Sequence, residues 1–353
     1  MKQIKSSKKF KKYALSKSYS TWRNIGICLI VLLILARIFV IFDTIVYNTN
    51  TAATNLKLQI EQDVNQIRYQ FNYYTSLLYS GRALFTVNNS VTRQDWFTFY
   101  NNQIFANRFP GFYAVAYISV INHSQIGPFT SILNQNRLPS ETNQITIFPD
   151  TNGNQLAVLT YIAPSSANQN TIGYNLFSSQ TRKSILLSAA NSGLEAVSNP
   201  LSLKGLVESK NPNGVLIVLP VYNNSTTMPL TSVSTRNASF NGYIVLATQL
   251  RHLLNPIFDS TPNNSFSITI TNNNTTIYTN KRNISGESIS ENVSLKLANQ
   301  IWNLKVSAPS NYSLSTTSTL APSTILYTLA PLIVLLLLTL YFALKYHQSQ
   351  HHD

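Results

Sequence analysis

Two apolar runs decide where the rest of this 353-residue chain can fold. NIGICLIVLLILARIFVIF covers Asn24–Phe42, and ILYTLAPLIVLLLLTLYFAL covers Ile325–Leu344. Each is long enough to cross about 30 Å of hydrocarbon as a helix. Trp22 and Tyr47 flank the first run, where interfacial aromatics belong. A signal peptide would have a shorter apolar region, about 7–15 residues, closed by a small-residue cleavage site. TNTAAT offers such a site at Ala53, but the length of the run favours an uncleaved anchor. Arg37 inside the first run either reaches the outer headgroups or pairs with a partner helix, because a lone charge at mid-bilayer is costly. Pro331 is a candidate kink in the second run.

The direction of the spans follows from charge. Net charge is +14, and Lys2, Lys5, Lys8, Lys9, Lys11, Lys12, Lys17 and Arg23 supply much of it with no acid among them. Such a segment stays in the cytoplasm, where it can hold anionic lipid. Two spans then return the C-terminal HQSQHHD to the same side and leave residues 44–322 outside. That outer stretch carries 16 basic and 10 acidic side chains, too dilute for a phosphate-tracking surface, so no nucleic-acid partner is expected. Cys28 is the sole cysteine, which excludes an intrachain disulfide and a cysteine-based zinc site.

Residues 44–87 read as one stalk helix. Leu56, Ile60, Val64, Ile67, Phe71, Tyr74 and Leu78 recur at steps of three and four, and no proline interrupts them. The apolar stripe has to be covered by the following domain or by a second copy of the helix. Thr92 and Asp95 form a capping-box pattern ahead of an aromatic helix that Pro110-Gly111 is expected to end. FYAVAYISV, QLAVLTYIA, GVLIVLPVY and FNGYIVLAT read as strands, and SQTRKSILLSAANSG as a helix closed by Gly193. ATQLRHLLNPIF begins a further helix; SFSITI and TTIYTN form a hairpin pattern, and VSLKLA and IWNLKVSA two more strands. The pattern is α+β, with a larger and a smaller sheet.

Three blocks resemble the CHASE domain, an extracytoplasmic sensory module of signalling receptors. They are VTRQDWFTFYNNQIFANRFPGFYAVAYI, the central TYIAPSSANQNTIGYNLFSSQTRKSILLSAANSGLEAVSNPLSL, and GVLIVLPVYN. The resemblance implies a long N-terminal stalk helix followed by two PAS-like sheets, flanked by two transmembrane helices. It divides the chain into a basic tail (1–23), a first span (24–43), the stalk (44–87), a membrane-distal PAS-like part holding the ligand pocket (88–248), a smaller membrane-proximal part (249–322), a second span (323–345) and a tail (346–353). It also implies a possible homodimer through the stalk. In cytokinin-binding relatives an Asp precedes the proline of the central block. Aligned on Pro164, this chain has Thr160 there, and a neutral hydroxyl does not replace an anionic acceptor at full strength. A second polar pocket position falls at Ser198; Tyr161, Tyr174 and Tyr222 are candidate walls, equally readable as packed strand aromatics.

An enzyme is not expected, and no cofactor. His123 and His252 are the only outer histidines, neither in a metal-binding spacing, and the acids are scattered. Phosphate loops and a G-x-S-x-G elbow are absent. The expected function is that of a membrane-anchored sensor that binds a small molecule and signals through its spans to a separate protein. The alternative is a surface ligand-binding or structural protein without signalling output.

Overall fold

The computed structural model describes residues 2–88, 90–103, 110–138, 143–165, 168–203, 214–223, 231–259, 266–280, 282–284, 286–310, 312, 334 and 338. The second apolar run falls outside them except for Val334 and Leu338, and the segments around Arg108, Lys204 and Pro229 lie outside as well. Contacts divide the chain into two units, Leu56–Pro309 and the two terminal segments 1–55 and 310–353.

Helix α1 runs Lys2–Val87 without interruption, so the expected first span and stalk are one element. In the terminal unit, Leu32, Ile34, Leu35, Ile38, Phe39, Ile41 and Phe42 are exposed along α1. Water does not tolerate an apolar face of that length, whereas lipid does. Among the described residues this is the one helix long and apolar enough to cross a membrane. From Leu56 onward the helix turns amphipathic. Leu56, Ile60, Val64, Ile67, Phe71, Tyr74 and Leu78 are all buried, as their spacing predicts.

The compact unit holds two antiparallel sheets. Strands β1 (Phe112–Asn122), β2 (Gln155–Ala163), β3 (Ala196–Val197), β4 (Gly214–Tyr222) and β5 (Phe240–Gln249) form the first, in the order β2-β1-β5-β4-β3. That is the strand order of a PAS-like sheet. Strands β6 (Ser267–Asn272), β7 (Thr275–Thr279), β8 (Ser288–Leu297) and β9 (Gln300–Pro309) form the second, in the order β7-β6-β9-β8. Pro220 stands inside the fully buried β4, where a proline removes a ladder donor. The short β3 pairs only with Ile217 and Val218, so the side of β4 that Pro220 leaves without N–H has no strand to serve. Asn273 and Asn274 join β6 to β7 with φ values of 46° and 63°, the two left-handed residues of a tight hairpin.

Helix α2 (Arg93–Asn102) starts at the Thr92/Asp95 capping box, with both reciprocal bonds present. Its C-cap is Gln103, and residues 104–109, which the expected run to Pro110-Gly111 would cover, lie outside the described set. Gly111 instead turns the chain into β1 with φ +76°, its carbonyl accepting from Thr248 Oγ1. Helix α3 (Ile126–Gln135) is absent from the sequence reading. Gly127-Pro128 reads as a turn, but a proline in the first helical turn breaks no hydrogen bond. Helix α4 (Gln180–Ser192) ends at Gly193, left-handed with φ +76°, as its position implies. A short α5 (Val233–Ala238) precedes β5, and α6 (Leu250–Asp259) follows it.

Candidate functional site

The first sheet has two differently used faces. Strand alternation sends Tyr117 of β1 toward the stalk, where its ring stacks on Phe85 of α1 at 4.0 Å between centroids. Trp96 of α2, fully buried, packs among Phe85, Phe99 and Tyr161 on this same side. Gly81 lets the stalk approach closely: a Cβ there would stand 3.1 Å from the Ile244 side chain.

The opposite face carries Ala114, Ala116 and Ile118 of β1, Leu159 and Ile162 of β2, Leu216 of β4, and Val245 and Ala247 of β5. Ala114 pairs with Ala247, and Ala116 pairs with Val245 on one side and Ile162 on the other. Small residues in register leave the floor of the sheet unfilled. The result is a cavity of about 70 Å³ with almost wholly apolar walls. This is about half the volume of an engineered protein cavity that accepts benzene.

The cover comes from the segment between β2 and α4. Thr171, Tyr174 and Leu176 close over the cavity, with Arg182 of α4, Leu203 and Tyr113 beside them. Arg182 stands 5.6 Å from the Tyr174 ring centroid, and its Nη2 donates to the Ser202 carbonyl at 2.6 Å. Among the described residues, the lining contains one guanidinium and no carboxylate, imidazole or thiol.

Asn175 fixes this cover. It is fully buried; its Oδ1 accepts from the N–H groups of Ala157 and Phe177 at 3.2 and 3.1 Å. Its Nδ2 donates to Thr151 Oγ1 at 3.2 Å. The adjacent Gly173 adopts φ +87°, and a Cβ there would lie 2.1 Å from the Thr146 carbonyl oxygen. Position and turn of Tyr174 are thus set by its two neighbours.

Of the five residues expected at the site, Tyr174 lines the cavity. The other four are placed elsewhere. Thr160 is the extra residue at an irregularity between β1 and β2, and its hydroxyl donates to Ser119 Oγ at 2.7 Å. Tyr161 faces the stalk side, its hydroxyl donating to the Val91 carbonyl at 3.0 Å. Ser198 follows β3 and accepts from Leu216 N–H at 2.9 Å. Tyr222, at the end of β4, donates to the Ala190 carbonyl of α4 at 2.9 Å. Burial pushes the Tyr117, Tyr161 and Tyr222 hydroxyls above the ordinary phenol range, so they remain neutral donors.

Sequence reasoning missed Ala114, Ala116, Ala247 and Arg182. A signal existed for the alanines: FYAVAYISV puts small residues on one face of a strand whose other face is bulky.

A second, polar groove of about 530 Å³ lies beside the β6–β7 hairpin, lined by Asn199, Arg251, Asn272, Asn273, Thr276 and Tyr278 among others.

A stalk helix carrying a PAS-like sheet, with an apolar cavity on the far face of that sheet, defines a sensory type of domain. The CHASE domain family matches residues 89–280, more than half of the chain, and the chain belongs to that family of extracytoplasmic sensory domains of membrane proteins. Solved structures resemble it at low identity. The periplasmic sensory domain of the Campylobacter jejuni chemoreceptor Tlp1 is 11% identical with a TM-score of 0.43, covering 78% of this chain and 99% of that one. The ligand-binding domain of the Pseudomonas aeruginosa PAO1 amino acid chemoreceptor PctC, in complex with GABA, is 10% identical with a TM-score of 0.40, covering 72% and 99%. An extracellular ligand binding receptor from Desulfohalobium retbaense DSM5692 is 11% identical with a TM-score of 0.38; the likeness covers 74% of this chain and 39% of that one. At these identities and TM-scores the likenesses bear on neither ligand nor partner. Comparison with curated proteins gives no match.

Proposed function

We propose that the cavity on the first sheet is the ligand site of a two-pass membrane sensor, with both termini cytoplasmic and residues 44–322 outside. The observation that carries this reading is the division of labour in β1. Ala114, Ala116 and Ile118 line the cavity, while Tyr117 between them stacks on Phe85 of the stalk. A ligand that displaces β1 displaces the stalk. Binding then shifts the balance between two arrangements of the stalk and its span, and passes to a partner protein in or beneath the membrane. The stalk also offers a dimer surface.

The ligand this site suits is small, with an apolar part on the alanine floor and a polar end near Tyr174 and Arg182. Thr160, Tyr161, Ser198 and Tyr222 support the site by holding the strands and α4 around it. We read the site as one for binding, since its described walls are mostly apolar with the Arg182 guanidinium among them.

The test is a thermal-shift screen of the full chain in lipid nanodiscs against small metabolites, adenine derivatives included. A ligand at 100 times its Kd stabilises by about 2.7 kcal/mol. Ala116→Leu fills the cavity and is expected to abolish that shift. If the variant responds to the same compound as strongly as the native chain, the site lies elsewhere. Phe85→Ala is expected to keep the ligand shift and lose the stalk's response, read as ligand-dependent exchange of residues 74–87. A stalk that responds normally in this variant rules out the Tyr117–Phe85 route.

A further inference from the structure

We propose that the outward-facing domain is N-glycosylated on its loops and around the edge of its second sheet. The proposal rests on the reading that this domain lies outside the cell. Asn-x-Ser/Thr triplets begin at Asn88, Asn122, Asn223, Asn237, Asn273, Asn274, Asn283 and Asn292, and every one of these asparagines is exposed. Others begin at Asn224, Asn263 and Asn311, outside the described residues. None occurs in residues 1–87 or 312–353. The fully packed asparagines Asn168, Asn175 and Asn272 belong to no triplet. Triplets mark acceptors for an oligosaccharide when they lie on the surface of an exported domain.

Their placement is orderly. Asn122 ends β1, Asn223 directly follows β4, and Asn237 stands in α5 just before β5, all at one end of the first sheet. Cavity residues Ala114, Leu216 and Ala247 lie toward the opposite ends of those strands, and none of the described triplet asparagines lines the cavity. On the second sheet, β7 is an edge strand of sequence TTIYT, without charge or proline. Bare edges of this kind invite pairing with another chain and are normally blunted. Asn273 and Asn274 precede β7 and Asn283 follows it, so bulky hydrated groups would flank the strand at both ends. They would also hydrate a chain with only 11% charged residues, where soluble globular domains average about 25%.

The donor is a glycan linked to a polyprenyl phosphate or diphosphate in the membrane. Transfer forms a bond from sugar C1 to Asn Nδ2 and breaks the C1–O bond to phosphate. The polyprenyl phosphate, or diphosphate where that is the donor, leaves with the bonding pair, and the carboxamide gives one proton to a base of the transferase.

The experiment is peptide mass spectrometry on full-length protein from the membranes of its own cells, paired with impermeant protease treatment of the intact cells. The expected result is whole-sugar mass additions on peptides containing Asn122, Asn237 and Asn283, with the domain cleaved from outside. Asn122→Gln, Asn237→Gln and Asn283→Gln together are expected to remove those additions. Unmodified triplets on a domain that protease reaches overturn glycosylation alone. A domain that protease cannot reach overturns both glycosylation and the outward orientation.

Discussion

Asn175→Ala is expected to destabilise the domain by about 3–5 kcal/mol, one of the largest single-site effects in the chain. The substitution leaves the N–H groups of Ala157 and Phe177 without their partner inside the protein, and each buried donor so orphaned costs about 1–3 kcal/mol. Denaturant unfolding of the full chain in nanodiscs measures it. Ligand binding is expected to weaken in parallel, because Tyr174 and Thr171 lose their anchor. A midpoint that moves by less than the equivalent of 1 kcal/mol would show that Asn175 does not hold the cover. Gly173→Ala acts at the same place more severely. Its Cβ would meet the Thr146 carbonyl oxygen at 2.1 Å from a left-handed backbone, so neither the flexible end of a side chain nor a rotamer change relieves the contact.

The second large effect concerns Asp63 on the stalk. Only 3% of this residue is exposed, and Gln59 Nε2 donates to its Oδ1 at 2.8 Å. Burial pushes its carboxyl up to about 7, and the Gln59 bond only partly opposes this. The sign follows from which state holds the proton. Between the unfolded value of 3.8 and about 7 the folded chain is protonated at Asp63 and the unfolded chain is not. Stability from this group is therefore fully present at pH below 4 and falls as pH rises to 7, by up to roughly 1.4 kcal/mol per unit. Above pH 7 the loss levels off. Asp63→Asn keeps the shape and the Gln59 contact but cannot ionise. It is expected to flatten the profile between pH 5 and 8 and to raise stability at pH 8 by a few kcal/mol. Native and variant chains with parallel profiles would mean that the carboxyl ionises freely in the folded state.

Much of the architecture was legible because it is written in short-range pattern. The stalk stripe from Leu56 to Leu78 follows one helical periodicity, and all seven of its apolar residues are buried, with Gln59, Asp63, Thr75 and Leu77 buried beside them. The Thr92/Asp95 cap, the Gly193 terminus and the Asn273-Asn274 turn each depend on two or three neighbouring residues, so composition alone locates them. QLAVLTYIA and GVLIVLPVY were bounded correctly because apolar runs of strand length are flanked by polar turns. Helix α3 was not legible: Gly127-Pro128 is a turn signal, yet in the first helical turn the proline breaks no hydrogen bond, and the helix buries Leu133.

The site was far less legible, for a physical reason. Its cavity arises where Ala114, Ala116 and Ala247 meet across two strands more than a hundred residues apart. A hole is made by what side chains lack, and its depth depends on register. The family resemblance points instead to Thr160 and Ser198 as polar positions, with Tyr161, Tyr174 and Tyr222 as aromatic walls. Thr160 sits at a strand irregularity that no local pattern announces, which turns its hydroxyl to Ser119. Arg182 lies on the first turns of α4, and only the fold brings it over Tyr174.

The most direct test of the whole account is hydrogen exchange on the full chain in nanodiscs, with and without a compound found by the screen. Protection is expected in β1 and in residues 171–176 over the cavity, together with a changed rate in the stalk from Tyr74 to Phe85. Protection confined to the polar groove at Asn199 and Thr275–Thr279, with β1 and the stalk unaltered, would contradict it.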